Sequence, residues 1–287
     1  MIPKRFNIVF AGNNKILKGM YLAMLSTMMN SPGHDYTFYV LTMKTIDSKQ
    51  FECNPITENG RLILEKMVKS FNPNNEVKLI DCSPIYKQEL EGNKNHLTRY
   101  SPYTMLRLFF FKLVHEDFDN LLYLDCDILI HNDLATFYKT YDMTNYELAA
   151  VPDYLGRYYI GEHYFNAGVL FLNAKKIQET KLFDRALDVL KEKTLYFPDQ
   201  SALNMLVKDW LELPEIYNSQ RKCRKDTVIQ HFPGRIARFW APIKPWHINE
   251  VRKNLGIKAY DDVYKYYLDH YPFDERKEEK PIVNFDK

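Results

Sequence analysis

Two carboxylates two residues apart, Asp125 and Asp127, stand in the run Leu121-Leu122-Tyr123-Leu124-Asp125-Cys126-Asp127-Ile128-Leu129-Ile130. Large apolar residues on both sides of the pair read as a strand buried on both faces. Side chains alternate along a strand, so this spacing sends both carboxylates to one side. Two anions so close repel each other unless something positive lies between them. A divalent metal held by hard oxygen ligands meets that need. The competing reading is a solvated turn, because Asp-x-Asp is short and arises often by chance. The apolar run before the pair weighs against a turn.

The elements needed to position this pair can be read from the rest of the chain. Phe6–Ala11 reads as a first strand, followed by the polar loop Gly12-Asn13-Asn14-Lys15. A helix is expected from about Leu17 to Met29, with Leu17, Met20, Tyr21, Met24, Leu25 and Met28 on one stripe. Ser31-Pro32-Gly33 stops it. A strand at Tyr36–Leu41, a helix at about Glu58–Phe71 and a strand at Val77–Ile80 complete an alternation typical of a parallel sheet with helices on both faces. Ligands of such sheets bind beyond the carboxyl ends of the strands, where the 12–15 loop and the Asp pair both fall.

Further along, Ser101-Pro102 opens an apolar helix interrupted by Arg107 and Lys112. Arg107 either snorkels to solvent, the commoner case, or faces an anionic ligand at the sheet edge. Glu147–Val151 is a short strand ending in Pro152-Asp153, and the second half of Tyr164–Asn173 is strand-like. Small polar Asn166-Ala167-Gly168 suits close approach of backbone to a ligand. Asn173 is a candidate cap for a helix reaching about Lys193, and Asp199 for one reaching about Val207. Thr227–Gln230 reads as a strand leading into His231-Phe232-Pro233-Gly234. Arg235, Arg238 and Lys244 mix with Trp240 and Trp246. Residues 250–287, rich in Tyr and in both charge signs, read as a helical appendage to a 1–249 domain, suited to a partner or a membrane surface.

Composition narrows the classes. The 287 residues are 46% hydrophobic and 26% charged, within the range of a soluble globular protein and ample for a sizeable core. A net charge of +2 gives no global field to recruit nucleic acid. The aromatic content of 15% suits carbohydrate or protein surfaces, though a compositional bias explains it equally well. The four cysteines, Cys53, Cys82, Cys126 and Cys223, form no CxxC pair, which points to reduced thiols in the cytoplasm. No stretch approaches membrane-spanning length.

In order and spacing, several segments together resemble the family 8 retaining glycosyltransferases, over about residues 5–247. They are Phe10-Ala11 with its polar loop, Arg107, Leu124-Asp125-Cys126-Asp127, Phe165-Asn166-Ala167-Gly168-Val169, Asp199-Gln200 with Leu203-Asn204, His231-Phe232-x-Gly234, and Lys244-Pro245-Trp246. The resemblance implies a GT-A fold, a Rossmann-like mixed α/β sheet with helices on both faces. It also implies a UDP-sugar donor (UDP-galactose or UDP-glucose), a glycan acceptor and Mn²⁺, with Mg²⁺ as the other metal that oxygen ligands accept. Asp125, Asp127 and His231 would bind the metal. Ala11, Asn13, Arg107, Asp125, Asn166, Ala167, Gly234 and Lys244 would line the donor site. Asp199 and Gln200 would hold the donor sugar at the reacting centre, and Asp153 would line the sugar or acceptor pocket.

The chain departs from the family pattern in three places. Asn13 stands where Asp is usual, Lys15-Ile16 replaces an aromatic residue expected against uracil, and the Gly234-to-Lys244 span is long. Two other classes were weighed. A haloacid-dehalogenase-type phosphatase wants Thr or Val two residues after the second Asp, where Leu129 stands, and a dinucleotide oxidoreductase wants Gly-x-Gly-x-x-Gly after the first strand. A sugar-nucleotide- or glycan-binding module without turnover is the non-enzymatic alternative.

Overall fold

The computed structural model describes residues 3–46, 51–98, 100–233, 243–255 and 260–272. Gly234, Arg235, Arg238 and Trp240 lie outside the described residues, as does the end of the chain beyond residue 272. The opening alternation is as expected. Strand β1 (Arg5–Ala11) leads to helix α1 (Leu17–Asn30), then β2 (Asp35–Thr42), α2 (Glu58–Phe71) and β3 (Glu76–Asp81). There follow β4 (Asn120–Leu124), β5 (Ile128–Ile130), β6 (Leu148–Pro152), β7 (Phe165–Asn173), α3 (Ala174–Thr180), α4 (Leu182–Glu192), α5 (Pro198–Leu206), β8 (Leu211–Glu212), β9 (Ile229–His231), α6 (Ile248–Leu255) and α7 (Asp261–His270). Seven strands form one mixed sheet in the order β8-β6-β7-β4-β1-β2-β3. β1 pairs in parallel with β2 and β4, while β7 runs antiparallel to both β4 and β6.

The chain from Leu121 to Ile130 is not one strand. β4 ends at Leu124, and β5 leaves the main sheet to pair antiparallel with β9, His231 opposite Ile128. Asp125, Cys126 and Asp127 form the turn where the chain changes sheets. The carboxylates therefore converge through a bend, not through strand alternation. The ladder changes partner at the same point: Asp125 N donates to Gly168 O on β7 at 2.8 Å, and Phe232 N, just past β9, donates to Asp127 O at 2.9 Å.

Three other expectations are corrected locally. The segment after Ser101 is a 3₁₀ helix over Pro102–Phe109 that continues as α-helix only for Phe110–Leu113. The helix after Asn173 is broken at Lys181, whose φ of 54° ends α3 and starts α4; Asn173 caps α3 as expected, its side chain accepting from Lys176 N. Asp199 does not cap α5, which is entered through Phe197 and Pro198; its carboxylate is drawn sideways to Arg107 instead.

Two apolar clusters flank the sheet. α1 and α2 cover one face, and the 3₁₀ segment, α4 and α5 cover the other. α7 joins the first: Val263, Tyr264 and Tyr267 are buried in it, and Tyr21 of α1 meets Tyr267 and Tyr271 with ring centroids 5.8 and 4.9 Å apart. All four cysteines are free thiols. Among the described residues no helix is long and apolar enough to cross a membrane.

α1 also braces the turn that bears the Asp pair. A Cβ on Gly19 would sit 2.7 Å from Cys126 O and 2.7 Å from the Trp246 ring. Helix propensity favours Ala over Gly by about 1 kcal/mol, but a clash with backbone has no flexible side chain to absorb it. Gly19→Ala should therefore lower stability by about 1–3 kcal/mol, the usual range for overpacking, read as a fall in the urea midpoint. A rise in the midpoint would show that α1 and the turn are not in tight contact.

Candidate functional site

The carboxyl ends of the central strands open into a cleft of about 1220 Å³. Its walls bring together Ala11, Asn13, Arg107, Asp125, Asp127, Asp153, Asn166, Ala167, Asp199, Gln200, His231 and Lys244. Of the residues expected to form the metal, donor and sugar sites, Gly234 alone lies outside the described residues.

On the floor, one ligating atom from each of Asp125, Asp127 and His231 lies within 4.8 Å of the others. His231 Nε2 is 3.3 Å from Asp127 Oδ1 and 3.9 Å from Asp125 Oδ2. The orientation of this ring follows from an unambiguous backbone donor. Gly168 N donates to Asn166 Oδ1 at 3.0 Å, so Asn166 must present its oxygen on that side. Asn218 Nδ2 donates to the same oxygen at 2.9 Å, which turns Asn218 Oδ1 toward His231 Nδ1, also at 2.9 Å. Nδ1 therefore carries the proton, and Nε2 faces the two carboxylates. A neutral imidazole so fixed offers its Nε2 lone pair beside two carboxylates, a donor set matched to a divalent metal.

Space at the floor is equally restricted. A Cβ on Gly168 would lie 2.3 Å from His231 Cε1 and 2.8 Å from Asp125 Oδ2. Only glycine lets β7 pass this close to the triad.

Arg107 is 2% exposed and does not reach solvent. Neither expected reading of its charge is what the structure shows: the guanidinium is held not by solvent or a ligand but by the protein's own carboxylates. Nη2 is 3.1 Å from Asp125 Oδ1, Nε is 3.1 Å from Asp199 Oδ2 and 2.9 Å from Thr104 O, and Nη1 donates to Ala167 O. The guanidinium stacks on Tyr123, 3.7 Å from the ring centroid, and Tyr123 Oη donates to Asp125 Oδ1 at 3.1 Å. Burial alone would lower the Arg107 pKa, but Asp199, Tyr123 and Asp125 outweigh it and raise it.

The two aspartates of the turn differ. Burial raises the pKa of Asp125, and the neighbouring Asp127 charge adds to this while Arg107 opposes it. Burial would raise Asp127 too, but Lys244 and His231 overcome it and hold that carboxyl well below the usual range. Lys244 Nζ is 2.5 Å from Asp127 Oδ2 and 3.1 Å from Phe232 O.

On the adjoining wall, Gln200 accepts from Ala167 N at 2.9 Å and donates to Asp153 Oδ2 at 3.2 Å. Asn166 Nδ2 donates to the same Asp153 oxygen at 2.8 Å. At the far end, Asn13 caps the turn after β1 through Lys15 N, and Ile16 lines the wall.

Sequence reasoning missed Asn218 and Tyr123 as parts of the site. Asn218 sits in a loop with no motif around it, so only the fold reveals its contact with His231. Tyr123 had a signal, since it lies two residues before Asp125.

Asn218→Ala should leave the fold intact and free the His231 ring to rotate or change tautomer. Losses of about 10–100-fold in metal affinity are usual when such a supporting partner is removed. A titration of Mn²⁺ followed by its electron paramagnetic resonance signal would show this, and unchanged affinity would exclude His231 as a ligand.

The fold and site compare directly with known proteins. A solved structure of the galactosyltransferase LgtC, in complex with donor and acceptor sugar analogs, superposes with a TM-score of 0.70 at 20% identity, covering 95% of this chain and 99% of that one. GlyE of Streptococcus pneumoniae TIGR4 superposes with a TM-score of 0.58 at 23% identity over 92% of this chain and 64% of that one. These likenesses show the fold, which is the GT-A arrangement expected from the sequence. In sequence, glycosyltransferase GlyA of Streptococcus pneumoniae serotype 4 is 37% identical over 213 residues, 71% of this chain but 28% of that protein. The lipopolysaccharide 1,2-glucosyltransferase of Escherichia coli K12 is 24% identical over 98% of this chain and 83% of its own length. The model of glycosyl transferase family 8 matches residues 7–250, so the chain belongs to that family.

Proposed function

We propose that the protein transfers a hexose, glucose or galactose, from a UDP-sugar to a hydroxyl of a glycan acceptor, with retention at the anomeric carbon and Mn²⁺ or Mg²⁺ bound by Asp125, Asp127 and His231. The observation that carries this reading is the convergence of those three ligands on the floor of the cleft, with Nε2 of the imidazole turned inward by Asn218. Hard carboxylate oxygens with one imidazole nitrogen suit Mn²⁺ and tolerate Mg²⁺. Three protein ligands leave positions for diphosphate oxygens. When bound, the metal supplies Lewis-acid neutralisation of the departing UDP.

The chain's own groups divide the remaining work. Lys244 brings a second positive charge to the leaving-group edge of the triad. Asp199, held by Arg107, keeps lone pairs for the hydroxyls of the donor sugar. Ala11 and Asn13 form the wall against the nucleoside. Gln200 is tied at both ends of its amide, and an amide is a weak nucleophile. Same-face attack therefore fits better than a covalent intermediate, with a diphosphate oxygen taking the acceptor's proton. The names of two relatives, a glucosyltransferase and a galactosyltransferase, support a hexose without choosing between them. Four free thiols agree with a cytoplasmic setting, and the C-terminal region is the candidate for peripheral membrane contact.

Calorimetric titration with UDP should show binding at least about tenfold tighter with Mn²⁺ than without, a difference of about 1.4 kcal/mol. Asp127→Asn should abolish that difference. Absence of UDP binding under both conditions would overturn the donor-site assignment.

Metal binding should also depend on pH in a fixed direction. The raised Asp125 pKa means that this carboxyl keeps its proton to higher pH than a free aspartate. Metal must displace that proton, so the Asp125 contribution to affinity is constant above the raised pKa and falls below it by up to about tenfold per pH unit. Asp127, held low, adds nothing in that window. Mn²⁺ affinity unchanged down to the ordinary aspartate range would remove Asp125 from the ligand set.

A further inference from the structure

Cations and aromatic rings alternate from the cleft outward: Tyr154 and Arg221 line the cleft, and Arg157 and Tyr158 continue the series outside its lining. The Arg221 guanidinium lies 4.4 Å from the centroid of Tyr154. Tyr154 meets Tyr158 edge-on at 6.1 Å. Arg157 lies 4.9 Å over Tyr158 and donates to its hydroxyl at 2.9 Å. Tyr158 is 66% exposed and the next residue, Tyr159, 82%. Scattered exposed apolar residues need no explanation, but these rings are grouped and bracketed by two guanidiniums. Among the described residues neither Arg157 nor Arg221 forms an ion pair, whereas nearby Arg224 pairs with Glu215 at 3.2 Å.

The ladder is built into the site. Asp153 Oδ1 accepts from Leu155 N and Gly156 N, at 3.1 and 2.7 Å, and so fixes the turn that carries Arg157 and Tyr158. Its other oxygen takes Asn166 and Gln200 on the sugar side. Tyr154 N donates to Gln220 Oε1 at 2.9 Å, which ties the ring to the loop of Arg221. The Asp153 carboxylate is thus engaged inside the protein and pairs with neither arginine.

We propose that this ladder is the acceptor platform and that the acceptor is an anionic glycan, with a phosphate monoester or a uronate close to the hydroxyl that receives the hexose. The proposal rests on the transferase reading and deepens it. Sugar rings stack their C–H faces on tyrosine while the hydroxyl of the ring finds a polar partner. Guanidinium forks match carboxylate and phosphate oxygens bidentately, and stacking on a ring holds them in place before binding. A neutral glycan would use the rings and leave both forks idle. A flat anionic membrane is the poorer fit, because Tyr154 and Arg221 line the concave wall of the cleft.

The test measures binding, so that it does not depend on donor turnover. The full chain is titrated with cellobiose, its phosphate monoester and its uronate form, in the presence of UDP and Mn²⁺. The charged forms should bind at least about tenfold more tightly at low salt, with an advantage that shrinks as salt screens it. The double variant Arg157→Gln, Arg221→Gln should lose that advantage while its affinity for UDP stays unchanged. Equal binding of neutral and charged forms would overturn the proposal, as would a charge preference that survives in the double variant. Vesicles of anionic phospholipid form a separate arm: binding that depends on both arginines, with no preference among the disaccharides, would assign the ladder to a membrane instead. If the charge preference holds but UDP fails to bind with Mn²⁺, the transferase reading falls and the anionic-glycan surface stands.

Discussion

Burial of one arginine organises the active face. A guanidinium removed from water is costly unless each of its donors is paired, and removing a single partner from such a site leaves an uncompensated charge. Arg107 meets this requirement by joining four separate pieces of chain: the 3₁₀ segment through Thr104, the inter-sheet turn through Asp125, β7 through Ala167, and α5 through Asp199. These pieces are distant in sequence, and the one guanidinium is bonded to all four. Because its donors are engaged by the protein, Arg107 acts chiefly by positioning Asp125 and Asp199. Its stacking on Tyr123, whose hydroxyl also reaches Asp125, leaves that carboxylate with one oxygen held and the other turned toward the triad.

A second chain of contacts joins the Asp125-Asp127-His231 triad to the wall that carries Asp153 and Gln200. From His231 through Asn218 and Asn166 to Asp153, every hydrogen bond points the same way, donor toward the carboxylate end. Such an alignment polarises each bond in turn, and a partly broken version would leave buried amides unsatisfied. Asn218 is fully buried, so its two bonds have no water to replace them. A shift of Asp153, which also holds the turn with Arg157 and Tyr158, is therefore felt at the imidazole. The geometries at Asp153 and at the triad are coupled through amides, without a net charge between them.

Much of the frame was legible because it rests on local rules. The bounds expected for α2 agree with those found, and Asn173 caps its helix as its residue type suggests. The failures share a cause. Read locally, Leu121–Ile130 is one apolar run, and the apolar residues outweighed the turn signal of Asp-x-Asp at the point where Leu124 and Ile128 take partners in different sheets. Asp199 resembles a helix cap until a buried arginine from a segment nearly a hundred residues earlier claims its carboxylate. Lys181 breaks a helix without Gly or Pro to announce it. The triad itself was legible only through a resemblance in order and spacing, because His231 lies far along the chain from the Asp pair.

The change of sheets at the Asp pair also accounts for the site's rigidity. A metal loop hung from one strand end could move as a hinge. Here the turn is held by β7 through Asp125 N, by the start of the chain after β9 through Asp127 O, and by α1, whose Gly19 passes within contact distance of Cys126 O. Cys126 Sγ adds a weak bond to Ala11 O at 3.3 Å, on the neighbouring β1. Ligand positions set from several directions cost little reorganisation when charge develops between them. The same constraint explains why β7 carries glycine at 168: the strand that anchors Asp125 must also pass the imidazole of β9, and there is no room for a side chain between them.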